Sequence, residues 1–358
     1  MDITKILVIQ HKRIGDVLIS SVIASNMKKV FPASEITYFV YDYTAGVLEN
    51  HPHIDKVISV QEKKLKNFLY FAKMLGAVRR EGYDIIFDPY AKFQSRMMCL
   101  FSGAEFRVGL KRAHKKLKLP FYTHPIDFLE KRSHECGKAI EDKINMITSV
   151  FPLGKPTYRP KIYLSQKEIA YNKVQHLKKP IVMIGVLGSV PKKSLPREYV
   201  AELVNFITHT YDVSVLFNYA PHQKEEAEAI FSLCTHQDRI HLDIYEDSIR
   251  GFITLMNQCD LLVANEGGSV HITKALNKPT FTIYSPYINK EAWCSFEDGK
   301  EHESIHLLEE KPELYASFNQ AETRKIEADP EMLYRQLTPI LIRSKMEPFL
   351  DAHLPKRP

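Results

Sequence analysis

The sequence predicts an α/β protein built from two Rossmann-like, doubly wound domains in series that face each other across a cleft. Three observations lead there. Apolar, strand-like runs alternate with helical stretches through both halves, which is the pattern of a parallel sheet with helices on both faces. The alternation is interrupted once, by residues 151–160, Phe-Pro-Leu-Gly-Lys-Pro-Thr-Tyr-Arg-Pro, whose three prolines and one glycine read as a boundary. In each half, one strand-like run ends in a short polar loop that opens directly onto a helix. The expected organisation is a first domain over 1–160, a second over 161–335 and a tail over 336–358 that starts helical and ends in the basic Pro355-Lys356-Arg357-Pro358.

In the first half the expected strands are 5–10, 35–40, 56–60, 83–88 and 105–110, with helices at 17–29, 66–80 and 95–101 between them. After the boundary a helix-like stretch surrounds 165–177. The second half then reads as strand 180–186, helix 198–211, strand 213–219, helix 225–233, short strand 240–243, helix 248–259 and strand 260–265. A short helix over 270–277, closed by Pro279, and a strand over 280–284 complete it. Ligands of such sheets bind beyond the carboxyl ends of the strands, where the polar loops lie.

The loop Asn265-Glu266-Gly267-Gly268-Ser269 has the makings of a phosphate cradle. Two glycines let the backbone turn and approach a ligand without a Cβ in the way, and the first N–H groups of the following helix favour an anion. The plainer reading is a tight turn in which Glu266 or Ser269 caps the helix. A matching loop, His11-Lys12-Arg13-Ile14-Gly15-Asp16, follows the first strand, and two such loops in opposite halves suggest two facing sites.

With 358 residues, 44% hydrophobic and 26% charged, the chain suits two soluble domains with a core each. It has no apolar run long enough to span a membrane and no signal-like N-terminus, so a cytoplasmic protein is expected. Five widely spaced cysteines predict reduced, mostly structural thiols, and fifteen histidines show no metal-ligand spacing, so no metal site is expected. The net charge of +6 is concentrated in 63–66 and 111–118. Such runs suit a solvated face, an anionic membrane surface or an acidic substrate; nucleic acid ranks last because no nucleic-acid motif accompanies them. Neither half carries G-x-G-x-x-G after its first strand, and there is no P-loop.

These residues resemble the lipopolysaccharide heptosyltransferases and their relatives, glycosyltransferase family 9 with the GT-B fold. Lys5-Ile6-Leu7-Val8 followed by Ile14-Gly15-Asp16-Val17-Leu18 is similar to the family's opening strand and G-D-x-L loop. Gly267-Gly268-Ser269-Val270-His271 to Lys274-Ala275-Leu276, closed by Pro279 and Tyr284-Ser285-Pro286, is similar to its second signature. Lys193-Ser194-Leu195-Pro196 and Ala220-Pro221-His222 also match, and the likeness runs in order from about residue 4 to 335. Departures occur where the family commonly has Asp-Thr-Gly and this chain has Glu266-Gly267-Gly268, and where a threonine pair becomes Gly188-Ser189. A nucleoside-contacting carboxylate falls on Gln223, and a lysine of the first domain on Gln94.

The resemblance implies an inverting, metal-independent transferase. Asp16 is the candidate base that takes the acceptor hydroxyl's proton, with Lys12 and Arg13 holding the acceptor or keeping the carboxylate ionised; the plainer role for Asp16 is an N-cap. Lys193 is the candidate cation for the departing diphosphate, with Lys192 its near alternative, and Gly188 and Ser189 begin the same loop. Gly267, Gly268 and Ser269 would offer N–H groups to the phosphates, Glu266 would position ribose or sugar, and His271 would support the site or touch a phosphate. Asn218 or Gln223 would contact the nucleoside, and Lys92, Gln94 and Arg96 the acceptor. The co-substrate implied is a nucleotide sugar, ADP-heptose, with no further cofactor. The acceptor implied is the lipopolysaccharide core on its lipid A precursor, whose acidic Kdo sugars suit a basic first domain. A peripheral place at the inner face of the cytoplasmic membrane, and closure of the domains on the donor, are also expected. A relative using another nucleotide sugar, a GT-B nucleotide-sugar epimerase and a non-catalytic nucleotide- or membrane-binding module remain as alternatives.

Overall fold

The computed structural model describes residues 3–111, 119–316 and 330–358. Residues 112–118 of the second basic run lie outside the described residues. The chain divides into two units, Met1–Leu164 with Glu291–Ser295, and Ser165–Lys290 with Phe296–Pro358.

In the first unit six parallel strands, β1 (Lys5–Gln10), β2 (Glu35–Tyr41), β3 (Lys56–Val60), β4 (Ile85–Asp88), β5 (Phe106–Leu110) and β6 (His124–Ile126), form one sheet in the order β3-β2-β1-β4-β5-β6. β1 is central, which explains its unbroken apolar run: Ile6, Leu7, Val8 and Ile9 are fully buried, as a strand covered on both faces requires. The expected helix over 17–29 is two helices, Ile14–Ser20 and Val22–Val30, meeting at Ser21. The helix Phe68–Glu81 begins at Asn67, whose side chain accepts from the Tyr70 N–H, and stops at Gly82 in the left-handed conformation.

The second unit repeats the plan with β7 (Ile181–Gly185), β8 (Ser214–Asn218), β9 (Ile240–His241), β10 (Leu261–Asn265), β11 (Thr280–Ile283) and β12 (His302–Ile305), ordered β12-β11-β10-β7-β8-β9 and again all parallel. Counted from the first strand of each unit, both sheets have the doubly wound order 3-2-1-4-5-6. In each, the direction of winding reverses between the first and fourth strands, and this reversal opens a crevice at their carboxyl ends.

Residues 336–358, expected as a tail, are an integral part of the second unit. The helix Pro339–His353 buries Ile342, Met346, Phe349 and Leu350 in the core formed with β7, β8, β10 and β11. Beyond it, Arg357 donates its N–H to the Thr210 carbonyl and Asp212 donates to Pro355. An apolar stripe on this helix covers sheet surface that would otherwise face water, so the segment cannot hang free. All five cysteines are buried, and none is in a disulfide. Among the described residues no helix is long and apolar enough to cross a membrane.

Candidate functional site

Each unit gathers its candidate residues at its own switch point. In the first unit β1 leads through His11, Lys12 and Arg13 into the helix Ile14–Ser20. The N-cap is Arg13, which makes no side-chain capping bond, and Asp16 sits in the third helical position, so the N-cap role expected as the plainer alternative for Asp16 is not the one it has. Asp16 is instead buried, and its Oδ1 lies 2.5 Å from Lys12 Nζ. The carboxylate thus lies in the first turn of its helix with the Lys12 ammonium as its ion-pair partner. Lys12 also stands 5.2 Å from the ring centroid of Trp293, in the segment Glu291–Ser295 that belongs to this unit. Arg13 is exposed. His11 is buried edge-on to Phe39 and stacked on Tyr41, and burial pushes its imidazole down to about 3, so it is a neutral wall of the site.

β4, across the switch point from β1, ends at Asp88, to which the sequence reading assigned no role of its own. Its buried carboxylate accepts from the Ala91 N–H at 2.8 Å and from the Tyr122 hydroxyl at 2.7 Å. Ala91 has a positive φ of 51°, a conformation a residue with a Cβ adopts reluctantly, and the Asp88 bond holds it there. Burial raises the Asp88 pKa. The available signal was an acid closing the otherwise apolar Ile85-Ile86-Phe87-Asp88. The loop so fixed presents Lys92 exposed, Gln94 half-buried and Arg96 largely buried, its guanidinium 5.7 Å from the Phe121 ring centroid.

In the second unit the loop after β7 is folded on itself. A Cβ on Gly188 would lie 2.2 Å from the Lys193 carbonyl oxygen, so only glycine fits. Ser194 Oγ accepts from the Gly188 N–H at 2.9 Å. Gln223, expected at the nucleoside, has both ends of its amide engaged: Nε2 donates to the Gly188 carbonyl at 2.7 Å and Oε1 accepts from the Ala220 N–H at 2.9 Å. It ties the loop after β8 to the loop after β7. Asn218, the last residue of β8, is half-buried beside Gly185 of β7.

From across the switch point, Glu266 follows β10 and its Oε1 accepts from Lys193 Nζ at 2.7 Å. The structure thus brings Lys193 and Glu266 together; Lys192 is exposed and lies 5.6 Å from the Tyr287 ring centroid. The helix Gly268–Ala275 starts from Gly267 as N-cap without a side-chain cap, so neither Glu266 nor Ser269 has the capping role. Gly267 and Gly268 therefore leave the first helical N–H groups unshielded by a side chain, a position that favours a phosphate. A Cβ at Gly267 would meet only open space. His271 is half-buried one turn along. Ser189, Lys192, His222 and Gln223 line a neighbouring cavity of about 850 Å³ together with Tyr334 and Arg335. Lys193 and Glu266 are not among its lining residues.

The fold and these loops have known counterparts. The chain is similar to lipopolysaccharide heptosyltransferase 1 of Campylobacter coli, at 23% identity over 78% of this chain and 83% of that protein. It is similar to lipopolysaccharide heptosyltransferase 2 of Escherichia coli K12, at 24% identity over 79% of this chain and 83% of that one. Among solved structures, a glycosyl transferase of family 9 from Veillonella parvula superposes with a TM-score of 0.74 at 16% identity, covering 98% of both chains. The E. coli heptosyltransferase WaaC with ADP-2-deoxy-2-fluoro heptose gives a TM-score of 0.65 at 17% identity over 84% of this chain and 93% of that one. The two units therefore have the GT-B fold. The family model for glycosyltransferase family 9 (heptosyltransferase) matches residues 71–309, which take in the loops of Lys92, Lys193 and Glu266. A doubly wound pair of units with its polar loops gathered at both switch points, and a family match across most of the chain, make this protein a member of glycosyltransferase family 9, the heptosyltransferase family.

Proposed function

We propose that the protein transfers a heptose from ADP-heptose to a lipopolysaccharide core acceptor, inverting the anomeric centre without a metal. The observation that carries this reading is the buried Asp16 carboxylate beside Lys12 at the first switch point, matched by Lys193, Glu266 and an uncapped helix N-terminus at the second. Family membership and the sugar nucleotide of the E. coli relative support the donor.

In this mechanism the acceptor hydroxyl oxygen attacks the anomeric carbon from the face opposite the nucleotide. As the new C–O bond forms, the bond to the diphosphate oxygen breaks, and the hydroxyl proton passes to Asp16. Negative charge gathering on the leaving diphosphate is met by Lys193 and by the N–H groups of Gly268 and Ser269. Ser189 supplies a hydroxyl at the cavity edge, Glu266 positions a ribose or sugar hydroxyl as well as Lys193, and His271 stands behind the phosphates. Gln223 and Gly188 act by setting the shape of the loop that holds Lys193, and Asn218 contacts the nucleoside. Lys12, Arg13, Lys92, Gln94 and Arg96 receive the acidic acceptor sugars. Because that acceptor is lipid-anchored, the protein works at the inner face of the cytoplasmic membrane.

The test is product analysis by mass spectrometry with a delipidated Kdo-containing acceptor, ADP-heptose and a panel of UDP- and GDP-sugars. Transfer from ADP-heptose, lost in Asp16→Asn while donor binding persists, is the expected result. Transfer from another donor alone would discard the heptose, and donor turnover that needs no acceptor would point to an epimerase.

A further inference from the structure

The first unit carries a basic and apolar prominence that none of the chemistry above uses. Phe68 and Leu69 are 79% and 77% exposed, among the most exposed large apolar side chains of the described residues. Lys63, Lys64, Lys66 and Lys73 surround them in sequence, all exposed, and the nearest acid, Glu62, is paired with Lys66 at 3.2 Å. The prominence is held rigid from beneath. Leu65 and Phe71 on either side of the pair are buried, and Asn67 caps the helix Phe68–Glu81 through the Tyr70 N–H at 3.0 Å. Exposure here is fixed by the fold.

Its position follows from the topology. The helices Phe68–Glu81 and Phe93–Ser102 follow β3 and β4 of a parallel sheet and pack against each other, so both run back along it and both begin at its carboxyl edge. Arg79 Nη1 donates to the Phe101 carbonyl at 3.3 Å, which aligns their far ends. Phe93 is also exposed. The loop of Asp16 follows β1 at this same edge.

We propose that Phe68, Leu69 and the lysines around them are the element by which this protein docks on an anionic lipid bilayer, with the two apolar side chains entering the acyl boundary and the ammonium groups meeting lipid phosphates. The inference deepens the lipid-anchored acceptor reading and rests on it for its purpose: a membrane at this edge presents an acceptor headgroup to the side of the sheet that carries Asp16. Charge complementarity favours lipid, since a surface with four lysines and one already paired acid suits an anionic plane. A second copy of the chain is a poorer occupant. Two large side chains bury roughly 400 Å², about half of what each partner contributes to a standard interface.

The experiment is flotation of the full-length protein with vesicles of phosphatidylcholine alone and of phosphatidylcholine mixed with phosphatidylglycerol. Flotation with the anionic vesicles only is expected. It should be abolished by Phe68→Ser with Leu69→Ser, and weakened roughly fivefold for each of Lys63, Lys64 and Lys66 changed to Gln. All four variants should keep wild-type transfer to a delipidated acceptor and wild-type thermal melts. Equal flotation by the Ser variant, or equal binding to neutral vesicles, would overturn the proposal. So would a dimer in sedimentation velocity that the same substitutions dissolve, without vesicle binding. Flotation is read without any sugar donor, so failure of the transferase reading would leave this result intact and separately visible.

Discussion

Lys193 Nζ lies 2.7 Å from Glu266 Oε1, joining the loop after β7 to the loop after β10 at the point where the winding of the second sheet reverses. Both side chains are largely sheltered, so the pair is more than a surface contact. In the proposed mechanism that one ammonium would serve both the resident carboxylate and the diphosphate. Removing the carboxylate should release Lys193 and relieve repulsion of the ligand. We expect Glu266→Gln to bind inorganic diphosphate about tenfold more tightly and Lys193→Met about tenfold more weakly. Titration calorimetry decides this, and because diphosphate lacks ribose and sugar, the result isolates charge from positioning. Weaker binding by Glu266→Gln would mean that the carboxylate orders the cradle rather than competing with its ligand.

Asp16→Asn should lower kcat by about a hundredfold to ten-thousandfold, the range lost when a general base is removed. Binding of ADP should be unchanged, because Asp16 belongs to the other unit. Lys12→Ala removes the 2.5 Å partner and should cost about tenfold in kcat, with Lys12→Arg recovering most of it. Steady-state kinetics on one soluble acceptor compares the three. Equal losses in Asp16→Asn and Lys12→Ala would show that the two act as a unit.

Gly188→Ala must move the chain, since the new methyl would meet the Lys193 carbonyl carbon and oxygen at 2.5 Å and 2.2 Å. Overpacking of this kind costs about 1–3 kcal/mol. The cost should fall on the loop and on nucleotide affinity more than on the melting of the sheet. Gln223→Leu should act in the same direction by breaking its two bonds to Gly188 and Ala220. Calorimetric nucleotide binding beside thermal melts of the same samples separates loop from fold; a collapse of the melting temperature with affinity intact would contradict the assignment.

Glu168 gives the second unit an acid-sensitive clamp. Hydrogen bonding from Arg250, followed by bonds from Ser165, outweighs burial and brings its carboxyl from 4.5 down to about 2. A depressed folded-state pKa means that the unfolded chain takes up the proton first. The stabilisation is therefore complete above pH 4.5 and fades as the pH falls towards about 2. Urea melts across that window should show wild-type stability falling more steeply than that of Glu168→Gln, which should be less stable at neutral pH. Parallel curves would remove Glu168 from the acid response.

Most of the fold was legible because the central strands carry their burial in their composition. β1 and β3 begin and end at the expected residues, and β4, β5, β7, β8 and β10 differ by a residue or two. What escaped notice was peripheral or interrupted. β6 is His-Pro-Ile, an edge strand of three residues with a proline, and β12 is His-Glu-Ser-Ile, whose polar positions hide an edge strand. The helix Lys138–Thr148 also went unread; its first residues follow the polar stretch 130–135 and give no N-cap signal, since Gly137 makes no side-chain cap. In the site, loop chemistry exposed the residue types but not their pairing. Nothing in the sequence spacing tells that Lys193 meets Glu266, 73 residues away, or that Gln223 spends its amide on Gly188. Long-range partners are set by strand order, and strand order is decided by packing.

The segment Glu291–Ser295 belongs to the first unit although the rest of that unit is complete by Leu164. Arg132 donates to the sulfur of Cys294 at 3.0 Å across 162 residues of chain. On a ribosome adding about 5–20 residues per second, the first unit therefore waits roughly 7 to 26 seconds for its last piece. Its newly made surface around Arg132 and Gly137, which Cys294 and Ser295 cover in the folded unit, stays open to chaperones and proteases for that interval.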